Sequence, residues 1–330
     1  MQLTRAQLIG LIALFAAIVI GYFVVGRRGN ATVTMIASAL QPSSLAYNTA
    51  DQSVYLFNRV TSQLSKVEFD GTITPLSESF PNVDTVLWAP DFQRALIRSI
   101  NDVATKSADP LFRDGEDDGL ILTWLYNLAD RKLSFVNADY GSVTWAGNDQ
   151  IVYYFAGDDP GDVSLAKPDG SERQTLMHIQ GVLVSQIDAH LDEGLIVTGG
   201  ADEEEDKLFF VDFATKQATS FAEQASVWVN GSNVLFVSRT DSTRLMRFDL
   251  TTRQTTEGRQ FDSSISHVAL GSSHAIVATE EGLSSFDLAT NRKRAVNVRV
   301  NGLQNLFVFP GEGESFFFTA TGNLYRLELP

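Results

Sequence analysis

Cysteine is absent from all 330 residues. Disulfides, zinc–thiolate centres and cysteine nucleophiles are therefore excluded, and the redox compartment leaves no trace in the sequence. Histidine is scarce, with only His178, His190, His267 and His274. His267 and His274 lie seven positions apart without an evident acidic partner, so they read as structural. Several catalytic signatures are missing: the Gly-x-Ser-x-Gly elbow, a phosphate-binding glycine loop, His-Glu-x-x-His and the Ser-x-Asp-x-Gly-x-Thr box. Basic residues are in deficit, 25 against 40 acidic, for a formal net charge of −15. A mean field of that sign repels a polyanion, so no nucleic-acid partner is expected. No cofactor and no metal site are expected either, and the chain reads as non-enzymatic.

Long uncharged runs are also rare; there is one. Leu8 to Val25 holds 18 residues without a charge, with Arg5 before it and Arg27 and Arg28 after it. As a helix it would cover about 27 Å, close to the hydrocarbon thickness of a bilayer. A cleaved signal peptide usually has a shorter apolar core followed at once by small residues. Here Gly26-Arg27-Arg28 follows, and Ala37-Ser38-Ala39 lies too far downstream. A buried globular helix would carry a polar face, which this run lacks. The segment is therefore read as an uncleaved signal anchor, with residues 1–28 crossing the cell membrane once and 29–330 forming the folded domain. Arg5 argues for a cytoplasmic N-terminus, while Arg27 and Arg28 argue for the reverse.

After residue 30 the sequence shows short runs rich in Val, Ile, Phe, Tyr, Leu and Thr, separated by Gly, Asp, Asn and Ser. That pattern reads as many strands joined by turns. It is also periodic. An apolar residue followed by Asp or Asn recurs at Asp70, Asn127, Asp169, Asp212, Asp249 and Asp287, with Glu328 in the seventh copy; the steps are 57, 42, 43, 37, 38 and 41 residues. A second series runs through Tyr47, Trp88, Trp145, Ile187, Trp228, Val268 and Phe307. A period near 40 with four short strands per unit is the signature of a β-propeller. The expected fold is all-β: seven blades, each with strands a to d from the channel outward. In the fifth unit they are Ser226 to Val229, Asn233 to Ser238, Arg244 to Asp249, and a strand after Thr252. The Asp or Asn would accept backbone N–H bonds in the turn from c to d. The aromatic residues of strand a would pack between neighbouring blades. The last unit supplies three strands, near 305–309, 315–319 and 323–328. The fourth is expected from Thr32 to Ser38, closing the ring through the N-terminal strand.

The units Val67 to Leu76 and Leu165 to Leu176, each with an Asp-Gly turn, resemble TolB-like propeller repeats. Trp88-Ala89-Pro90-Asp91 and Trp145-Ala146-Gly147-Asn148-Asp149 resemble the inner strand and first turn of the same repeat. The Gly-His and Trp-Asp signatures of eukaryotic WD repeats are absent. The resemblance covers about 300 residues as architecture. It implies an extracytoplasmic bacterial propeller that mediates protein–protein contacts, and it says little about chemistry.

Strand order puts the d–a and b–c connections on one face and the a–b and c–d turns on the other. Residues 26–31 span at most about 20 Å, so the membrane is expected on the a–b/c–d side. Three successive b–c connections hold 14 of the 40 acidic residues. The candidate interaction face comprises Asp114, Glu116, Asp117 and Asp118, then Asp158, Asp159 and Asp162, then Asp202, Glu203, Glu204, Glu205 and Asp206. Such a face would recruit a basic protein partner or divalent cations, or serve solubility alone. Asp114 to Gly119 lacks the ligand spacing of a calcium loop, so no metal site is assigned. The overall reading is a membrane-anchored interaction or scaffold module at the cell envelope. The alternative is a ligand- or carbohydrate-binding propeller, or a hydrolase built from dispersed residues of the central channel.

Overall fold

The computed structural model describes residues 31–101, 120–137, 140–155, 161–179, 183–200, 206–271, 273–290, 292–296, 298, 303–308 and 315–328. The apolar run at 8–25 lies outside them. Among the described residues every regular element is a strand, and no helix is long and apolar enough to cross a membrane.

The strands form seven four-stranded antiparallel sheets, the blades of a propeller. Within six of them the order is simply sequential. Blade 5 shows the pattern: a is Ala225–Asn230, b is Asn233–Ser238, c is Arg244–Asp249 and d is Gln254–Gln260. In blade 7 strands a to c are Leu303–Val308, Ser315–Ala320 and Asn323–Glu328. Its fourth strand is Thr32–Ala37, which runs antiparallel to c with Thr32 opposite Glu328 and Ala37 opposite Leu324.

Sequence composition follows each strand's depth. Strands b are covered on both faces by neighbouring blades and read as nearly continuous apolar runs. In blade 1 all of Ser53–Asn58 is buried, and in blade 6 the centre of His274–Thr279 is. Strands d lie at the rim. In blades 4 and 5 they read QATSFAE and QTTEGRQ, with their first four residues exposed.

Seven apolar clusters hold the blades together, and each joins two successive sheets. Phe57 and Leu64 of blade 1 meet Val86 and Ile97 of blade 2. Leu208 and Phe210 of blade 4 meet Val234 and Phe248 of blade 5. Ile36, Ala37 and Leu324 of blade 7 meet Val54, Leu56 and Val67 of blade 1. The core is therefore a ring of interfaces between sheets.

The recurrent Asp or Asn does the turn work read from the sequence. The Oδ1 of Asp70 accepts from Thr72 N at 2.8 Å, Asn127 from Ala129 N, and Asp169 from Ser171 N. Asp212 accepts from Ala214 and Thr215, Asp249 from Thr251 and Thr252, and Asp287 from Ala289 and Thr290. These bonds hold the five aspartates below the ordinary carboxylate range, for Asp169 first of all through the Ser171 hydroxyl. Gly71 is required where it stands. Its φ is +89°, and a Cβ there would sit 2.8 Å from the carbonyl oxygen of Ile36 in the outer strand of blade 7.

The tryptophans divide in a way the sequence spacing does not reveal. Trp88 and Trp145 pack back onto the preceding blade, whereas Trp228 packs forward onto the cluster shared with blade 6. Trp88 pairs with Ala95 and Trp145 with Ile151, residues of the clusters shared with the preceding blade. Trp228 pairs instead with Leu235, which belongs to the cluster shared with blade 6. A one-residue difference reverses the face of a pleated strand.

Candidate functional site: the channel mouth

Propellers place their variable chemistry where the innermost strands open onto the channel. Six of the seven strands a share an irregularity near their first residues, at the end fed by the d–a connection. The extra residue falls at Ser44 and Leu45 in blade 1, Asp84 in blade 2, Gly141 in blade 3, Ser185 in blade 4, Ser266 in blade 6 and Gln304 in blade 7. Strand a of blade 5 pairs without a bulge, and Ser226 is exposed at the matching level. A bulge turns one residue out of the ladder and re-aims it. Apart from Leu45, the residues at this level are polar or small, most often serine.

Most of these hydroxyls are already engaged with backbone. Ser44 Oγ accepts from Val86 N at 2.9 Å, across to blade 2. Ser185 donates to Thr198 O, and Ser266 to Ala278 O. One step along strand a, Ser142 Oγ accepts from Ile187 N at 2.7 Å, joining blades 3 and 4. Ser44, Ser142, Ser185 and Ser266 thus spend their hydroxyls on backbone groups of the inner edge.

Two charged groups stand out on this ring. Arg98, on strand b of blade 2 (Arg94–Asn101), reaches across to blade 3 and donates to the carbonyls of Tyr140 and Gly141 at 3.1 and 2.9 Å. Burial pushes its guanidinium below the ordinary value, and the Asp84 carboxylate opposes that shift. Asp188, on strand a of blade 4 (Leu183–Leu191), accepts from Gln186 Nε2 at 2.9 Å and from Thr198 Oγ1 at 2.7 Å. Burial pushes its carboxyl up to about 6; the Thr198 bond opposes this and the charge of Asp206 adds to it. Neither residue was singled out from the sequence, because a lone Arg or Asp in a strand carries no spacing signal.

The acidic face read from the sequence is described at two points only. Asp162 is the first residue of strand c in blade 3 and is turned to the rim, where it meets His178 Nδ1 at 3.0 Å and Arg173 Nη2 at 3.8 Å. Asp206 precedes strand c of blade 4, and its carbonyl accepts from Gln224 N. The structure therefore brings Asp206, but not Asp162, toward the channel-mouth carboxylate Asp188. Asp114, Glu116, Asp117, Asp118, Asp158, Asp159, Asp202, Glu203, Glu204 and Glu205 lie outside the described residues. Their connections leave and re-enter the sheets on the side of the bulges, as strand order requires.

His274, read from the sequence as lacking an acidic partner, has one in the fold. Its Nε2 lies 3.4 Å from Asp287 Oδ2, and its Nδ1 lies 2.9 Å from Ser273 Oγ. The line superficially has the composition of a hydrolase triad. It sits on the opposite face, Ser273 is the histidine's own neighbour in the chain, and Asp287 Oδ1 is committed to the c–d turn. Among the described residues no group of three His, Asp or Glu is arranged to hold a metal ion.

The sheets, their order and the ring of inner strands define a seven-bladed β-propeller. Solved structures of similar shape agree. The chain resembles the β-propeller domain of Cps50 (Swd1) from Myceliophteria thermophila, with a TM-score of 0.61 and 12% identity over 91% of this chain and 99% of that one. It also resembles the WD40 domain of Pan2 from Neurospora crassa, with a TM-score of 0.60 and 11% identity over 90% and 95%. Virginiamycin B lyase from Staphylococcus aureus matches with a TM-score of 0.57 and 12% identity over 91% and 100%. At these identities the likeness concerns the fold. No protein-family profile and no curated protein matches the sequence.

Proposed function

We propose that the chain is a membrane-tethered, non-enzymatic β-propeller that binds a protein partner through the face carrying the d–a and b–c connections. In this reading residues 8–25 anchor it in the cell membrane, and the TolB-like repeats go with a position outside the cytoplasm. The strand that follows the anchor, Thr32–Ala37, joins the ring to the tether. The observation that carries the binding function is a channel mouth whose serines bond to backbone, together with acidic b–c connections that belong to the same face. The mouth serines are spent on backbone hydrogen bonds, while three successive b–c connections hold 14 of 40 acidic residues. The similar Swd1 and Pan2 WD40 propellers fit a scaffold. Cross-linking in native membranes tests it. A discrete partner is expected, and the combined change Asp202→Lys, Glu203→Lys and Glu204→Lys is expected to abolish its recovery. Recovery unchanged by that reversal would overturn the assignment of the face.

A second reading rests on Asp188. A carboxyl pushed up to about 6 at the channel mouth, beside Gln186, suits a small-ligand or carbohydrate site, and one similar propeller is a lyase. Saccharide binding by the wild-type chain that is lost in Asp188→Ala would favour this reading over the first.

A further inference from the structure

We propose that the rim of blades 7, 1 and 2 lies against the lipid surface, so that the propeller rests on its side with the channel mouth open to the aqueous phase. The inference rests on the tethered reading and deepens it by assigning the surface that meets the bilayer.

The observation is the distribution of exposed apolar side chains. Among the described residues seven large ones are exposed, and all seven belong to these three adjacent blades. Five of them lie on outer strands: Val33 and Met35 of blade 7, Ile73 of blade 1, and Leu133 and Phe135 of blade 2; Val60, between strands b and c of blade 1, and Ile100, near the end of strand b in blade 2, lie at the channel-mouth end of the same sector. Met35 is 55% exposed and Phe135 is 54% exposed. The outer strands of blades 4 and 5 present Gln217, Thr219, Gln254 and Glu257 in the corresponding places. A scattered apolar residue needs no explanation, but confinement of all of them to one sector does.

The occupant is indicated by where the chain goes. The sector is centred on Thr32–Ala37, the first described strand, and the apolar run 8–25 precedes it by a link too short to carry the anchor to another part of the ring. The c–d turn of blade 1 packs on that same strand, with Gly71 against Ile36, which sets Ile73 beside it; Val33 and Met35 lie on the strand's other face, opposite Leu327 and Tyr325. On blade 2, Phe135 stacks edge-on against Trp124 at 5.2 Å, an aromatic pair of the kind favoured at the level of lipid headgroups. The exposed Arg131 and Lys132 at the start of the same outer strand would face anionic headgroups. The tether's position alone suggested the a–b/c–d face as the lipid side. The side chains point instead to the rim next to the tether.

The absence of native cysteine makes the test direct. Single variants of the full chain, Met35→Cys, Ile73→Cys and Phe135→Cys, with Thr219→Cys and Gln254→Cys as controls, are labelled with an environment-sensitive fluorophore. They are reconstituted into vesicles of phosphatidylcholine and phosphatidylglycerol containing a nitroxide-labelled lipid. Each variant replaces an exposed side chain, and unchanged melting temperatures show that the fold is intact. The expected result is blue-shifted emission and strong quenching by the nitroxide lipid at 35, 73 and 135, with neither at 219 and 254. Equal, weak quenching at all five sites, in protein that floats with the vesicles, would overturn the proposal and leave the anchor standing. Sites 35, 73 and 135 shielded from aqueous iodide but untouched by the lipid nitroxide would identify a second copy, or residues 1–30 folded back, as the occupant, and would also overturn it. Failure of the chain to float would instead remove the tethered reading itself.

Discussion

The indole Nε1 of Trp145 donates to the backbone carbonyl of Leu87 at 2.8 Å, from the inner strand of blade 3 to that of blade 2. Trp88 makes the same bond to Ser44 one blade earlier, at 2.7 Å. The pair explains why a large ring with a polar edge recurs on strand a. The ring fills the wedge between sheets, and its N–H supplies an innermost edge carbonyl with a partner. Trp145→Phe keeps much of the packing and loses the bond, so a destabilisation of about 1 kcal/mol is expected in urea unfolding. Trp145→Ala also leaves a cavity and should cost about 3–5 kcal/mol. A Trp145→Phe variant as stable as the wild type would show that the hydrogen bond contributes nothing.

Gly71→Ala tests the contact between blade 1 and the outer strand of blade 7. The substitution meets both a positive φ and the Ile36 carbonyl, and should cost about 1–3 kcal/mol. Hydrogen exchange is expected to rise first in 32–37. A uniform loss of protection over the ring would contradict the local account.

Asp188 gives a pH dependence with a defined sign. Its folded-state carboxyl is raised to about 6, above the unfolded value near 4, so folding favours the protonated form. The unfavourable contribution is absent below the unfolded value, grows as pH rises between the two, and is complete above the folded one. Asp188→Asn should therefore stabilise the fold more at pH 8 than at pH 5, by on the order of 1–2 kcal/mol after allowing for partial solvent access. An identical effect at both pH values would refute the shift.

The turn aspartates act in the opposite direction. Asp70, Asp169, Asp212, Asp249 and Asp287 have depressed folded-state values. Their contribution is present above the ordinary carboxylate range and is lost as pH falls through the folded values. Urea midpoints measured from pH 5 downward should fall for the wild type. A variant with Asp212→Asn and Asp249→Asn should start lower and fall less steeply.

Much of the architecture was legible in the sequence because its determinants are local. The turn carboxylate bonds an N–H two or three residues on, so Asp249 and Asp287 announce their turns wherever the blade sits. The buried run Asn233–Ser238 likewise announces a strand covered on both sides, with the bounds read from the sequence. The channel mouth was not legible. Ser44, Asp84, Gly141 and Ser185 are ordinary residues in ordinary strands, and only inter-strand register turns them out of the ladder. The forward packing of Trp228 escaped for a related reason, since it depends on a single residue in the pairing of one hairpin. Asp162 was grouped with the acidic face by proximity in sequence, yet its ion pairs with His178 and Arg173 hold it at the rim.

Blade 7 is assembled from segments far apart in the chain: Ala39 N donates to Asn323 Oδ1, a separation of 284 positions. Six sheets can pair from neighbouring residues as they leave the ribosome, but this one cannot. Thr32–Ala37 must wait, unpaired, until nearly the whole polypeptide has been made. For that interval its edge is open to the wrong neighbour, including the same strand of another nascent copy. In the tethered reading, holding that strand beside a bilayer, out of reach of other chains, would serve biogenesis as well as the finished ring.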